Sequence, residues 1–110
     1  MRHLLALLLA ACAAAAQPAH VLDGDTFDLN GERIRLWGID APEGLQICQR
    51  NGHEWRCGDN ATAALEALLD GQALICDEVD VDRYGRTVAT CTAAGQDIGA
   101  AMVRQGWALD

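Results

Sequence analysis

The chain has 110 residues, of which 51% are apolar, and a formal charge of −8 from 16 acids and 8 arginines, with no lysine. One domain fits this length, and the apolar share is too high for a disordered acidic tail. The charge excludes a protein that coats nucleic acid through a broad basic face. It leaves room for a metal-centred site, which needs clustered carboxylates and a few placed cations.

Residues 1–16 read as an export signal. Arg2 and His3 form a short polar start, Leu4 to Ala11 is an apolar run, and Ala14-Ala15-Ala16 precedes Gln17-Pro18 as a small-residue cleavage site. The run falls short of the roughly 20 residues a bilayer span needs. A second export reading is open, because Leu9-Ala10-Ala11-Cys12 resembles a bacterial lipobox. Cys12 would then be lipidated and hold the protein at a membrane. In both readings the folded domain is residues 17–110 and the location is periplasmic or secreted.

Short strands are predicted at residues 20–23 and 26–29, around Gly24. Asn30-Gly31 is a strong two-residue hairpin signal, and residues 33–37 alternate polar and apolar as a half-buried strand should. Residues 38–58 have no sustained period and are expected to form a long, functional loop. Asp59 or Asn60 can cap a helix carrying Ala61, Ala64, Leu65 and Leu68 on one face, stopped at Gly71. Residues 72–79 and 86–91 form the next two strands, joined by the type I turn signal Asp82-Arg83-Tyr84-Gly85. Asp97 caps a last helix with Ile98, Ala101, Met102 and Gln105 on one face, ended by Gly106.

Apart from Cys12, the cysteines are Cys48, Cys57, Cys76 and Cys91. They lack C-x-x-C spacing, so disulfides in an oxidising compartment are expected rather than a zinc site. With Arg83-Tyr84 as a two-residue loop, Cys76 faces Cys91 and Val79 faces Val88. That predicts a Cys76–Cys91 bridge and leaves Cys48 with Cys57 to close the long loop. The element order suggests an OB-type Greek-key barrel, with a sandwich as the alternative.

The polar residues of interest fall in Asp23-Gly24-Asp25-Thr26, in Arg35 through Asp40-Ala41-Pro42-Glu43, and in Asp82-Arg83-Tyr84-Gly85-Arg86. Each stretch alone reads as an ordinary turn or edge. Together they place Asp25 and Asp40 at the two ends that the first hairpin returns to each other. Two carboxylates meeting there repel unless a cation lies between them, and oxygen ligands suit Ca²⁺ or Mg²⁺. One tension remains. A two-residue Asn30-Gly31 loop sets Asp25 opposite Leu36 and Thr26 opposite Arg35, so Asp25 and Arg35 point to opposite faces. A bulge or strong curvature near Gly24 is needed to bring them together.

Four segments in order resemble the thermonuclease family, whose founder is the staphylococcal nuclease. They are Val21-Leu22-Asp23-Gly24-Asp25-Thr26-Phe27, Arg33-Ile34-Arg35-Leu36-Trp37-Gly38-Ile39-Asp40-Ala41-Pro42-Glu43, Asp82-Arg83-Tyr84-Gly85-Arg86 and Met102-Val103-Arg104-Gln105-Gly106-Trp107-Ala108. The resemblance implies an α+β fold, an OB-type five-stranded Greek-key barrel with helices. It implies Ca²⁺-dependent cleavage of DNA or RNA phosphodiesters to 3′-phosphates. Asp25 and Asp40 resemble the Ca²⁺ carboxylates, and Ala41 matches the position that supplies a backbone carbonyl. Glu43 resembles the residue that positions or deprotonates the attacking water. Arg35 and Arg86 resemble the phosphate clamp, and Tyr84 the tyrosine beside the nucleotide.

Two departures accompany the resemblance. The chain is acidic where the founder is basic, which shifts the expected substrates towards short or single-stranded nucleic acid. The sequence ends at Asp110, before the family's pocket tyrosines and closing C-terminal helix, so a barrel with two helices is expected. The competing reading is a catalytically weak or inactive OB-type module that binds nucleic acid or protein. For the nuclease reading no stable protein partner is implied, and a monomer is expected.

Overall fold

The computed structural model describes residues 18–110. The export signal of residues 1–16 and its alternative at Cys12 lie outside the described residues. Ten elements follow in order: β1 Ala19–Asp23, β2 Thr26–Leu29, β3 Glu32–Leu36, β4 Cys48–Arg50, β5 His53–Trp55, α1 Cys57–Leu69, β6 Leu74–Val81, β7 Thr87–Ala93, β8 Gln96–Asp97 and α2 Ile98–Arg104. The main sheet runs β1-β2-β3-β7-β6, with β8 added to β7, and β4 and β5 form a separate hairpin. The architecture is α+β with the OB-type arrangement expected from the sequence.

Alternation in β3 buries Ile34 and Leu36 and leaves Arg33 exposed and Arg35 half-buried. Those two side chains join Phe27, Leu65, Ile98 and Met102 in one core. Helix α1 packs on β1, and α2 on β7 and α1. Ala61, Leu65 and Leu69 form the buried stripe of α1, and Ala64 and Leu68 flank it half-buried. At α2 the Asp97 carboxylate accepts from Ala100 N at 2.9 Å, the expected cap. The helix ends with Gly106 N donating to Val103 O and Trp107 N to Met102 O, a Schellman closure. Gln105, expected on the buried face, is exposed, because the helix has already ended there.

Three further expectations are corrected. The loop over residues 38–58 contains the β4–β5 hairpin, turned by Asn51 (φ 53°) and Gly52 (φ 80°). Helix α1 begins at Cys57, before Asp59 and Asn60. Its N-cap, Arg56, makes no side-chain cap bond, and Asp59 instead pairs with Arg56 at 3.2 Å.

The third correction is in the β6–β7 hairpin. Its loop has three residues, closed by Asp82 N to Arg86 O at 3.0 Å, with Gly85 at φ 83°. Left-handed geometry at the third loop residue selects this longer hairpin. Opposed positions are thereby offset by one, so Val88 faces Asp80 and not Val79. An irregularity between Glu78 and Asp80 restores the register, and Cys76 again faces Cys91. Disulfides join Cys76 to Cys91 and Cys48 to Cys57.

Candidate functional site

Strand β7 lies parallel to β3, with Ile34 opposite Thr87 and Arg35 opposite Val88. Arg86, just before β7, is thereby set beside β3. Arg35 and Arg86 line one open depression of about 480 Å³ together with Asp40 and Asp82.

The structure resolves the tension between Asp25 and Arg35. The β2–β3 register is the expected one, with Thr26 opposite Arg35. A register shift falls on β1 between Val21 and Asp23. Gly24 then approaches its neighbours so closely that a Cβ there would lie 2.8 Å from Ala41 Cβ and 2.9 Å from Ala61 Cβ. This close approach lets Asp25 Oδ2 accept from Ala41 N at 2.9 Å, and Thr26 Oγ1 donates to Oδ1 at 2.9 Å. The long Arg35 side chain closes the remaining gap, at 3.1 Å from Asp25 Oδ2. Its guanidinium also donates to the carbonyls of Leu36 and Ile39 and lies 3.8 Å from Asp40 Oδ1. Asp25 is thus buried and multiply bonded, while the Asp40 side chain is 82% exposed. The Asp40 backbone is fixed by paired bonds with Leu109 at 2.8 and 2.9 Å.

The other expected residues are placed less tightly. Ala41 is buried, and its carbonyl accepts no hydrogen bond among the described residues. Glu43 is exposed. Its backbone is held by Gln46, through N to Gln46 Oε1 at 3.1 Å and O from Gln46 N at 2.9 Å. Its carboxylate makes no ion pair among the described residues, so the structure does not join it to the arginines or to Asp25. Tyr84 is exposed, and the guanidinium of Arg86 lies 5.4 Å from its ring centre.

Two acids had no role assigned from the sequence. Asp82 clamps Arg86: its Oδ2 accepts from Arg86 Nε at 2.6 Å and its Oδ1 from Arg86 N and Tyr84 N. Partial burial pushes the Asp82 carboxyl up, but these donors outweigh it and hold it below its usual value. Asp23 is pushed up to about 6, first by burial and then by the hydrogen bond and like charge of Asp25, against donors at Asp25 N and Thr26. Both were visible as turn-forming aspartates; the signal available was their position one or two residues from an assigned residue.

No group of three or more His, Cys, Asp or Glu side chains among the described residues could hold a metal alone. The donor set is nonetheless made of hard oxygens: the carboxylates of Asp25 and Asp40, with the free carbonyl of Ala41 next to Asp40 in sequence. That chemistry fits a Ca²⁺-sized cation with water completing its shell.

A barrel-derived sheet with a paired-arginine depression beside acids defines a class, and the chain belongs to the family described as staphylococcal nuclease homologue, whose model matches residues 33–110. Among characterised relatives, the succinoglycan biosynthesis protein ExoI of Rhizobium meliloti is 41% identical over 97% of this chain and 60% of that protein. Protein ParB of Escherichia coli is 35% identical and the micrococcal nuclease of Shigella flexneri 38% identical, each over 80% of this chain and about half of its own length. The chain therefore spans half to three fifths of these relatives. Family membership makes this a nuclease-like domain. The two disulfides suit an oxidising, extracytoplasmic compartment.

Proposed function

We propose that the chain is a Ca²⁺-dependent nuclease that hydrolyses phosphodiesters of DNA or RNA and leaves 3′-phosphates. The observation that carries this reading is the convergence of Arg35, Arg86 and Asp40 on one depression, with Asp25 buried behind them. Attack on a phosphodiester builds negative charge around phosphorus. Two planar guanidiniums can each meet a phosphate edge with paired donors. Asp25 holds Arg35 in place from behind, and Asp82 does the same for Arg86, so neither fork has to be ordered when substrate arrives. Asp25, Asp40 and the Ala41 carbonyl would hold the cation, which when bound supplies positive charge to the phosphate and lowers the pKa of bound water. Glu43, on the loop after Asp40, would accept the proton of the attacking water. Tyr84 would lie along the nucleotide.

Residues 1–16 would direct export and residues 17–110 form the domain, working as a periplasmic or secreted monomer. It would be membrane-held only if Cys12 is lipidated.

Hydrolysis of single-stranded DNA with Ca²⁺ and with chelator tests the reading. Activity is expected with Ca²⁺ alone. Arg86→Lys and Glu43→Gln should fold, keep Ca²⁺ binding and lose about a hundredfold or more in turnover. Calorimetric Ca²⁺ binding should weaken strongly in Asp25→Ala and Asp40→Ala. A folded, Ca²⁺-binding wild type that cuts nothing would leave an OB-type binding module in place of an enzyme.

A further inference from the structure

The β4–β5 hairpin carries a feature the proposed reaction does not use. Trp55 at the end of β5 and Trp107 after α2 meet with ring centres 6.4 Å apart and planes at 51°. Together they line a cavity of about 330 Å³ whose wall also includes Gln46 and the Cys48–Cys57 pair. Both indoles are only half-buried, and neither indole N–H has a partner among the described residues. The disulfide ties β4 to the first residue of α1, which fixes the hairpin, and with it Trp55, against the body of the domain.

We infer that the Trp55–Trp107 cleft is a nucleobase subsite that stacks a base of a single-stranded substrate next to the scissile phosphate. Three observations favour this occupant. First, Asp40 and Leu109 line both this cleft and the depression holding Arg35 and Arg86, so the two are neighbours across a shared ridge. A strand whose phosphate sits on the arginines has its next base at the cleft. Second, the guanidinium of Arg50 lies 5.0 Å from the Trp55 ring centre and has no acidic partner among the described residues, leaving a cation at the rim for a flanking phosphate. Third, the lining combines two aromatic faces with the Gln46 amide and two indole N–H donors. These groups suit a flat ring bearing carbonyl and ring-nitrogen acceptors. Aromatic stacking on single strands is worth about 1–3 kcal/mol per base and tolerates any base. It also gives an acidic protein a way to hold nucleic acid without a basic face. The inference rests on the nuclease reading for the identity of the strand, but not for the binding itself.

The test separates binding from hydrolysis. Binding of a short single-stranded oligonucleotide is followed by tryptophan fluorescence in chelator, and hydrolysis is followed with Ca²⁺ on that oligonucleotide and on a small phosphodiester without a base. Trp55→Leu keeps an apolar side chain and removes the stacking plane. It should weaken oligonucleotide affinity at least tenfold and raise KM by a similar factor. Hydrolysis of the base-free diester should stay unchanged, and Trp55→Phe should restore most of the affinity. Arg50→Gln should lower affinity less and reduce its salt dependence by about one counterion. Oligonucleotide affinity in Trp55→Leu equal to wild type, with the disulfides intact and the melt unchanged, would overturn the subsite. Fluorescence quenching by a neutral oligosaccharide and none by the oligonucleotide would also overturn it, in favour of a sugar site. Trp55-dependent oligonucleotide binding in a protein that hydrolyses neither substrate would uphold the subsite while removing the nuclease reading.

Discussion

Replacing Gly58 by alanine probes how the loop carrying Glu43 is seated. Gly58 is the second residue of α1, and its Cα lies directly on the turn formed by residues 43–46. A Cβ there would stand 1.8 Å from the Glu43 carbonyl oxygen, 2.7 Å from that of Gly44 and 2.8 Å from Gln46 N. An ordinary contact is roughly 3.5 Å, so the two backbones must separate by more than 1 Å, and no flexible side chain can absorb it. One hydrogen bond spans this contact, Gly58 N to Gln46 O at 3.1 Å, and a second, Gln46 N to Glu43 O at 2.9 Å, closes the turn that the new Cβ would strike. Losing them costs about 1 kcal/mol each, and overpacking adds about 1–3 kcal/mol. Alanine's better helix propensity returns about 1 kcal/mol. The net loss is about 2–4 kcal/mol, a fall in Tm of roughly 10–30 °C for a domain of this size. Scanning calorimetry of the oxidised protein measures it. Gly44→Ala is the control, since its Cβ would meet only Leu22 O at 3.3 Å and should lower Tm far less. A Gly58→Ala melt within about 3 °C of wild type would refute the seating described here.

Arg35→Met should leave Asp25 buried without its cation and destabilise by about 3 kcal/mol, the low end for a broken buried pair, because Arg35 keeps 23% of its side-chain surface exposed. Urea unfolding reads this loss, and adding Asp25→Asn should recover part of it. Non-reducing peptide mapping should find the Cys48–Cys57 and Cys76–Cys91 bridges, and Cys76→Ser with Cys91→Ser should cost about 3 kcal/mol by chain-entropy arithmetic for a separation of 15 residues. The lowered Asp82 carboxyl contributes stability that is present above its unfolded value of 3.8 and is lost as pH falls through the lower folded value. Melts of Asp82→Asn should therefore show a flatter acid limb than wild type, and an identical acid limb would remove the clamp on Arg86.

The parts of the fold legible in the sequence are those fixed by short-range rules. Asn30-Gly31 set the first register, the alternation from Arg33 to Leu36 set its faces, and Asp97 and Gly106 bounded α2. Asn51-Gly52 carries the same turn signal as Asn30-Gly31, but its flanks, Cys48 to Arg50 and His53 to Trp55, are polar and lack alternation, so this hairpin is not legible from pattern. The start of α1 is illegible for a different reason: tertiary contacts of Gly58 and the Cys57 bridge override the local cap. The one-residue offset at Val79 follows from the left-handed Gly85, which the dipeptide pattern Arg83-Tyr84 does not reveal. At the site, sequence motifs pointed to Asp25, Arg35, Asp40 and Arg86. How Arg35 bridges Asp25 and Asp40, and how Asp82 anchors Arg86, depends on the bulge in β1 and the parallel β3–β7 pairing. Both are long-range outcomes.

That parallel pairing also decides when the arginines come together. Every other ladder of the structure joins strands that follow each other along the chain, so each can zip locally. Arg35 and Arg86 meet only when β3 closes on β7 over the intervening stretch, which includes the β4–β5 hairpin, α1 and β6. Closing a loop of that length carries the largest entropic barrier among these pairings. Neither disulfide ties β3 to β7: Cys48–Cys57 lies wholly inside the crossover, and Cys76–Cys91 joins β6 to β7. The covalent staples therefore secure the two halves but not the seam between them. The depression between Arg35 and Arg86 rests on a pairing that no covalent bond holds, and its closure is expected late in folding.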